Sequence, residues 1–412
     1  MSSSGSAAAL ALPPEAISSR EGQLAPFGWY AEMRRDRPVD YDPQRQTWDV
    51  FRYEDVGRVL DDDGTFTADM TRAEVDVPDE ASDGDDGESG QPLGRTMLHT
   101  DPPDHERLRG FAEAPFDRNA IRRDRPRFEA LTEKLLDRLD DRSRIDLVGD
   151  FAEDLPVSII AELLDVPADR RDRFRNWSKA LIAHPDEETR AAYEETRDRQ
   201  RRAYRELREY FSDLIDERTD GDDLVTLVAN EADLDRPERV EFCILVLLAG
   251  VISTTSLVTN AVWCFAEHDA IDAVRSGEID RMQAIEEVLR YRSPEQALRR
   301  VAVDDVELAG RQIEAGDIVT VWLGSANRDP DVFDAPDRFR PERHPNPHLA
   351  FGKGTHYCLG APLARVEAEV AIEKLFERFR TIDPDRTDRT PLPTFPYHSL
   401  SSLPCDVERA DG

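Results

Sequence analysis

The chain has 412 residues, with 87 acidic and 54 basic side chains and a formal net charge of −33. Such an excess of carboxylates argues against nucleic acid or an anionic membrane surface as a partner, since both would repel it. The four cysteines, Cys243, Cys264, Cys358 and Cys405, are too few and too widely spaced for a disulfide framework. The acid is spread along the whole chain, as on a protein from a salt-rich cytoplasm where self-repulsion is screened; an ordinary acidic soluble protein is the plainer alternative. Length alone suggests two or three domains.

Residues 1–14 are rich in Ser and Ala and lack a basic start and a long apolar run, so a frayed tail is expected ahead of residues 15–412. A short helix is expected over 27–35, a strand over 47–51 and a helix over 53–60. Residues 74–91 form an acidic, Gly-rich stretch without apolar periodicity and are expected to be a mobile loop. Asp101 is placed to cap a helix with prolines in its first turn. His105 and Arg109 then lie four apart on one face, which suits an anionic group or simply an exposed basic face.

Residues 119–218 read as successive helices, with an apolar run at 155–164. A long charged helix over 191–218 buries Tyr204, Leu207, Phe211, Leu214 and Ile215. Residues 242–266 carry no charge and are long enough to span a bilayer. The polar residues within, the acidic flanks and the missing Lys/Arg anchors favour the buried core helix of a soluble protein. Within it stand Leu245 and the run Ala249-Gly250-Val251-Ile252-Ser253-Thr254.

Glu287 and Arg290 are three apart on a further helix, which by itself is an ordinary ion pair. Arg300 opens a β region, and residues 306–316 read as a hairpin. Asn327-Arg328-Asp329-Pro330 is a turn, followed by Phe339-Arg340-Pro341-Glu342-Arg343. In Phe351-Gly352-Lys353-Gly354-Thr355-His356-Tyr357-Cys358-Leu359-Gly360 the first two glycines allow a close backbone approach. Cys358 falls where a helical pattern begins, which lowers a thiol's pKa and suits a metal ligand; a buried structural Cys is the alternative. The helix that follows has the apolar stripe Leu363, Val366, Val370, Phe376 and Phe379. The tail, 391–404, is Pro-rich with short strand-like pieces.

The ten-residue cysteine loop resembles the haem-binding loop of the cytochrome P-450 family. The 99–109 stretch, the Glu287/Arg290 pair, the 339–343 segment and the Ala249-Gly250 run resemble further motifs of that family, in the same order. The resemblance implies a mainly α fold with a small β region, one helical prism over 15–412. It implies heme b with Cys358 as axial thiolate within a loop that includes Phe351 and Gly360, and His105, Arg109, Arg300 and His356 on its propionates. Ser253 and Thr254 fall at the alcohol positions of oxygen activation. Glu287, Arg290 and Arg343 become one structural network, and Leu245, Ala249, Gly250, Glu295 and Leu400 (near Ser399) line the substrate pocket.

The implied reaction is hydroxylation of a small, largely apolar substrate with O2, in the cytoplasm. Electrons would come from a separate ferredoxin-like partner, facing Lys353, Arg107 and Arg365. Two positions depart from the pattern. Ile252 stands where an acid is usual, which opens a peroxide-dependent or non-oxygenating enzyme as a second reading and a non-catalytic haem sensor as a third. Glu295 replaces an apolar residue and is read as binding a cationic substrate, supplying protons, or merely being solvated.

Overall fold

The computed structural model describes residues 13–74, 96–183, 190–218, 220–221 and 223–410. Most of the expected tail and most of the acidic 74–91 stretch therefore lie outside the described residues. The described helices are α1 (Arg20–Leu24), α2 (Phe27–Asp36), α3 (Tyr53–Asp61), α4 (Asp104–Gly110), α5 (Arg118–Leu136), α6 (Asp154–Leu163) and α7 (Arg171–Leu181). They continue with α8 (Arg190–Glu217), α9 (Leu224–Asn230), α10 (Arg236–Glu267), α11 (Ile271–Ser276), α12 (Arg281–Tyr291), α13 (Leu323–Ala326) and α14 (Ala361–Arg378).

The centre is α10. It starts at a capping box in which Asp235 and Glu238 each bond the other's backbone N–H. It stops where the His268 N–H bonds the Cys264 carbonyl. Between these ends it packs against α6, α8, α12 and α14. A helix apolar all round must be covered on most sides, and its most apolar window is 72% buried within the protein. The length and hydropathy that resemble a membrane span are satisfied here by other helices.

The β region lies to one side. β1 (Val39–Asp42), β2 (Thr47–Val50), β3 (Phe66–Thr67), β5 (Ala297–Ala302) and β8 (Ile318–Trp322) form a five-stranded sheet in the order β1-β2-β8-β5-β3. Only β2 and β8 run parallel. The hairpin is β6 (Val306–Leu308) with β7 (Arg311–Ile313), and Gly310 takes φ +78° at its turn. β4 (Arg144–Asp146) joins β9 (Phe379–Pro384) and β12 (Pro404–Arg409) in a three-stranded sheet, while β10 (Thr390–Pro391) pairs with β11 (Leu400–Ser402).

Three local expectations are corrected. The 119–218 stretch is not wholly helical, because β4 gains its partner from the far end of the chain. Phe379 does not continue the α14 stripe but begins β9, where it is fully buried. Asp101 caps no helix; α4 begins three residues later. Its side chain instead accepts from the Ala68 N–H at 3.1 Å and from the Thr67 hydroxyl, tying this segment to β3.

The segment leading to the cysteine loop is held by one carboxylate. Glu287, fully buried on α12, takes two hydrogen bonds of 2.8 Å from Arg290 and bonds of 3.0 and 3.2 Å from Arg343 Nε. It also accepts from the Arg340 N–H at 2.8 Å. The guanidiniums spend their remaining donors on carbonyls: Arg290 on Asn327, Pro336 and Arg338, Arg343 on Asp334, Ala335 and Arg338. Asn327 extends the lattice, donating to Ser293 Oγ at 2.8 Å and accepting from the Leu349 N–H at 2.6 Å. Arg328 lies between the rings of Phe27 and Tyr291, 3.5 and 3.9 Å from their centroids.

Breaking a buried pair leaves a bare charge and costs about 3–5 kcal/mol. Glu287→Gln is therefore expected to lower unfolding stability by that order, read as a shifted midpoint in chemical denaturation at fixed salt. A second test concerns Glu367, a buried carboxyl on α14 with an unbonded oxygen. Burial raises its pKa well above the ordinary 4.5, so its stabilising contribution is complete below 4.5 and is lost as pH rises toward the folded value. Glu367→Gln should accordingly gain stability relative to the parent as pH increases from 4.5 to 8; equal pH dependence in the two proteins counts against this.

Candidate active site

The cysteine loop turns on two glycines in left-handed conformation, Gly352 at φ +72° and Gly354 at φ +71°. At Gly354 a Cβ would come within 2.7 Å of the Leu60 carbonyl, so the loop lies directly on α3. Thr355 adds a hydrogen bond to Asp63, just beyond that helix. The Cys358 N–H closes the loop on the Phe351 carbonyl at 2.9 Å. Three cysteines are buried, and only Cys358 is accessible.

Although the residue is accessible, desolvation by the surrounding protein pushes the Cys358 thiol up, outweighing the Gly360 N–H that donates to its sulfur and the charges of Arg109 and Arg365, which favour the thiolate. The lowering anticipated from a helix start is thus not the net effect in the protein alone. The reason is position: α14 begins at Ala361, three residues beyond the sulfur. Full thiolate character requires a bound cation.

On α10 one strip interrupts the burial. Ala249 is exposed in the middle of the helix, and Leu248, Ile252 and Ser253 are partly so. Ser253 Oγ donates to the Ala249 carbonyl at 2.9 Å. Leu245 is buried one turn earlier. Thr254, 3% exposed, lies off the strip. Gly250 faces α6: a Cβ there would stand 2.6 Å from Ile160 Cδ1. Its smallness lets α6 approach, and the residue stays partly exposed beside Ala249.

One turn beyond, Ser256 Oγ lies 2.6 Å from the Ile252 carbonyl and 2.8 Å from Ser399 Oγ. That contact ties α10 to the C-terminal segment next to Leu400, which is buried. Residues 294–296 pair with residues 396–398 of the same segment. The His398 N–H bonds the Pro294 carbonyl and the Gln296 N–H bonds the Pro396 carbonyl, each at 2.8 Å, and Glu295 bridges Tyr397. Ser256 did not stand out in the sequence, where its one signal was to lie three residues after Ser253; Ser399 was marked only as the neighbour of Leu400.

His105, Arg109, Arg300 and His356 converge from α4, β5 and the cysteine loop. The His105 and His356 rings meet at 4.5 Å. Arg109 Nη1 donates to the Thr355 carbonyl at 3.2 Å, and Arg300 Nη1 to the Arg299 carbonyl at 2.8 Å. Three buried nitrogens here have no hydrogen-bond partner: His105 Nδ1, His356 Nε2 and Arg300 Nε. His356 Nε2 is 3.5 Å from Asp101 Oδ1, too long for a good hydrogen bond. Burial holds both imidazoles below the usual histidine range, His356 at about 4, helped by Arg300 and His105. The set therefore offers neutral imidazoles and two guanidiniums.

Orphaned buried donors of this kind call for acceptors brought by a bound group. A flat macrocycle carrying two carboxylates at one edge and a thiolate-loving metal at its centre matches the donors and Cys358 together. Haem fits these residues. The three cations expected to face an electron donor are differently placed. Lys353 pairs with Asp61 at 3.1 Å, Arg107 with Glu238 at 2.9 Å, and Arg365 with Glu286 at 2.5 Å. Each of the three thus has a carboxylate of the same chain beside it.

A sequence profile of the cytochrome P-450 family matches residues 167–405. Among known proteins, the chain is 39% identical over 376 residues to an erythromycin C-12 hydroxylase of Saccharopolyspora erythraea, covering 89% of this chain and 90% of the relative. It is 37% identical over 380 residues to cytochrome P-450 109 of Bacillus spizizenii, covering 90% and 89%. The crystal structure of substrate-free CYP109E1 from Bacillus megaterium superposes with a TM-score of 0.87 at 34% identity, covering 94% of this chain and all of that one. Site geometry, profile and relatives agree, and the chain belongs to the cytochrome P-450 family.

Proposed function

We propose that this haem-binding oxidoreductase hydroxylates a small, largely apolar organic molecule. O2 is the oxidant, and electrons come from a separate ferredoxin-like donor in the cytoplasm. The overall change takes one substrate C–H bond, O2, two electrons and two protons to a C–OH group and water. The observation that carries this reading is the accessible strip of α10, Ala249 to Ser253, in a helix otherwise buried between its first and last turns. When bound, heme b with a thiolate ligand supplies the oxidising chemistry.

The protein's share follows from its own groups. Cys358 is the ligand, and the Gly360 N–H holds its sulfur. The four residues of the donor cluster bind and orient the carboxylates. Leu245, Ala249 and Leu400 present apolar surface to the substrate and exclude water. The Ser253 proton is committed to the Ala249 carbonyl, so its oxygen is left as an acceptor. Ser253 thus positions a proton donor rather than serving as one. Thr254 is assigned no part.

Ile252 favours a second reading. An aliphatic side chain on the accessible strip cannot relay a proton, and a pre-reduced oxidant such as peroxide needs fewer proton deliveries than O2. The acidic surface supports a further proposal, adaptation to a salt-rich interior.

Four outcomes are expected. The reduced, CO-bound protein shows the strongly red-shifted Soret band of thiolate ligation, and Cys358→His loses it while keeping haem. Ser253→Ala lowers product formed per electron consumed by about tenfold, below the roughly 10²–10⁴-fold of a side chain that transfers the proton itself, since Ser253 only positions the donor. Turnover with a reconstituted ferredoxin chain exceeds turnover with hydrogen peroxide; the reverse order establishes the second reading. Dilution from molar to millimolar salt lowers the unfolding temperature, and an unchanged value removes the halophilic proposal.

A further inference from the structure

A second carboxylate of α12 reaches toward the cysteine loop. Glu286 adjoins Glu287, and neighbours in sequence point to different sides of a helix. Glu287 binds the segment around Arg340 and Arg343, whereas Glu286 turns to α14. It accepts from Arg365 Nε at 2.5 Å and from Arg365 Nη2 at 3.1 Å, the two-point grip of a carboxylate on a guanidinium. His348 Nε2 lies 2.9 Å from one of its oxygens. The Ala350 N–H donates to His348 Nδ1 at 3.3 Å, so the ring proton sits on Nε2 and the imidazole donates to Glu286 as a neutral group.

Held in this way, Arg365 lies over the ring of Phe351, its guanidinium carbon 4.4 Å from the centroid. Its Nη1 reaches the Tyr357 hydroxyl at 3.3 Å and the Ala361 carbonyl at 3.4 Å, one on each side of Cys358 in the chain. The Phe351 carbonyl accepts the Cys358 N–H, so the stacked ring and the sulfur belong to one closed loop. The sulfur feels the charge of Arg365, as it does that of Arg109 from α4. A cation beside an electron-rich sulfur favours an added electron, and a carboxylate paired with that cation offsets it. We propose that Glu286 is a positioning residue that holds Arg365 over Phe351, and that the charge balance of the Glu286–Arg365 pair sets the reduction potential of the thiolate-bound haem. The proposal rests on the haem-thiolate reading.

The test is an equilibrium redox titration of the haem-loaded protein with dithionite and mediator dyes, at fixed pH and salt. No protein electron donor is present, so docking cannot enter the result. Glu286→Gln leaves the guanidinium uncompensated and should favour the reduced form about tenfold, a rise of about 59 mV for one electron. Arg365→Gln should shift the potential by a similar amount in the opposite sense. Arg365→Lys keeps the charge and should stay closer to the parent than Arg365→Gln. The reduced CO spectrum is recorded on every sample and should keep its red-shifted Soret band.

Opposed shifts are the mark of charge. A pair that merely braces the loop would move the potential in one direction in both variants or leave it unchanged, and either result overturns the proposal. Loss of the CO band in step with the potential also overturns it and assigns the pair to holding the ligand. If Glu286→Gln does not retain haem, Arg365→Gln against Arg365→Lys decides, and equal potentials overturn the proposal. A parent without the red-shifted band indicts the haem-thiolate reading, whereas a normal band without opposed shifts indicts the role of the pair alone.

Discussion

The active site depends on a carboxylate that takes no part in chemistry. Glu287 collects donors from Arg290, Arg343 and the Arg340 backbone, and the two guanidiniums then bind the carbonyls of 327–338. An irregular segment without strands or helices cannot satisfy its own backbone groups. Here the arginine forks satisfy them, converting a long loop into a rigid mount. Asn327 passes that rigidity to Leu349, at the threshold of the cysteine loop. The sulfur's position is therefore set by hydrogen bonds more than by apolar packing.

On the other side of the site, position is set by packing. α10 is enclosed by four helices, and its open strip exists because side chains of the correct size leave one face uncovered. Gly250 shows the economy of this arrangement, for it lets α6 approach through Ile160 while Ala249 keeps the open face low. The cluster of His105, Arg109, Arg300 and His356 keeps buried nitrogens unbonded beside the cysteine loop, where Arg109 holds the Thr355 carbonyl.

Much of this was legible in the sequence, for a physical reason in each case. Helices with a clear 3.6-residue stripe, such as α8 with Leu207 and Phe211, stood where the periodicity put them. The hairpin at Gly310 followed from local turn chemistry. What failed had no local cause. β4 is three residues long and needs a partner some 260 positions away, a contact that no window of sequence contains. Asp101 had the chemistry of a cap and was recruited by β3 instead. The carboxylates beside Lys353, Arg107 and Arg365 likewise came from distant parts of the chain.

The family, the cofactor and the ligand cysteine were carried by ordered motifs, because a thiolate loop, a buried Glu–Arg pair and a central helix each demand particular residue types at fixed spacing. The absence of an acid at Ile252 was equally plain there. Only the tertiary structure decided which of these groups are free. It bound the Ser253 proton to Ala249, set Gly250 against Ile160 of α6, and left nitrogens of His105, His356 and Arg300 without partners. Whether a side chain is satisfied depends on neighbours brought from distant parts of the chain, and that is settled only when the elements pack.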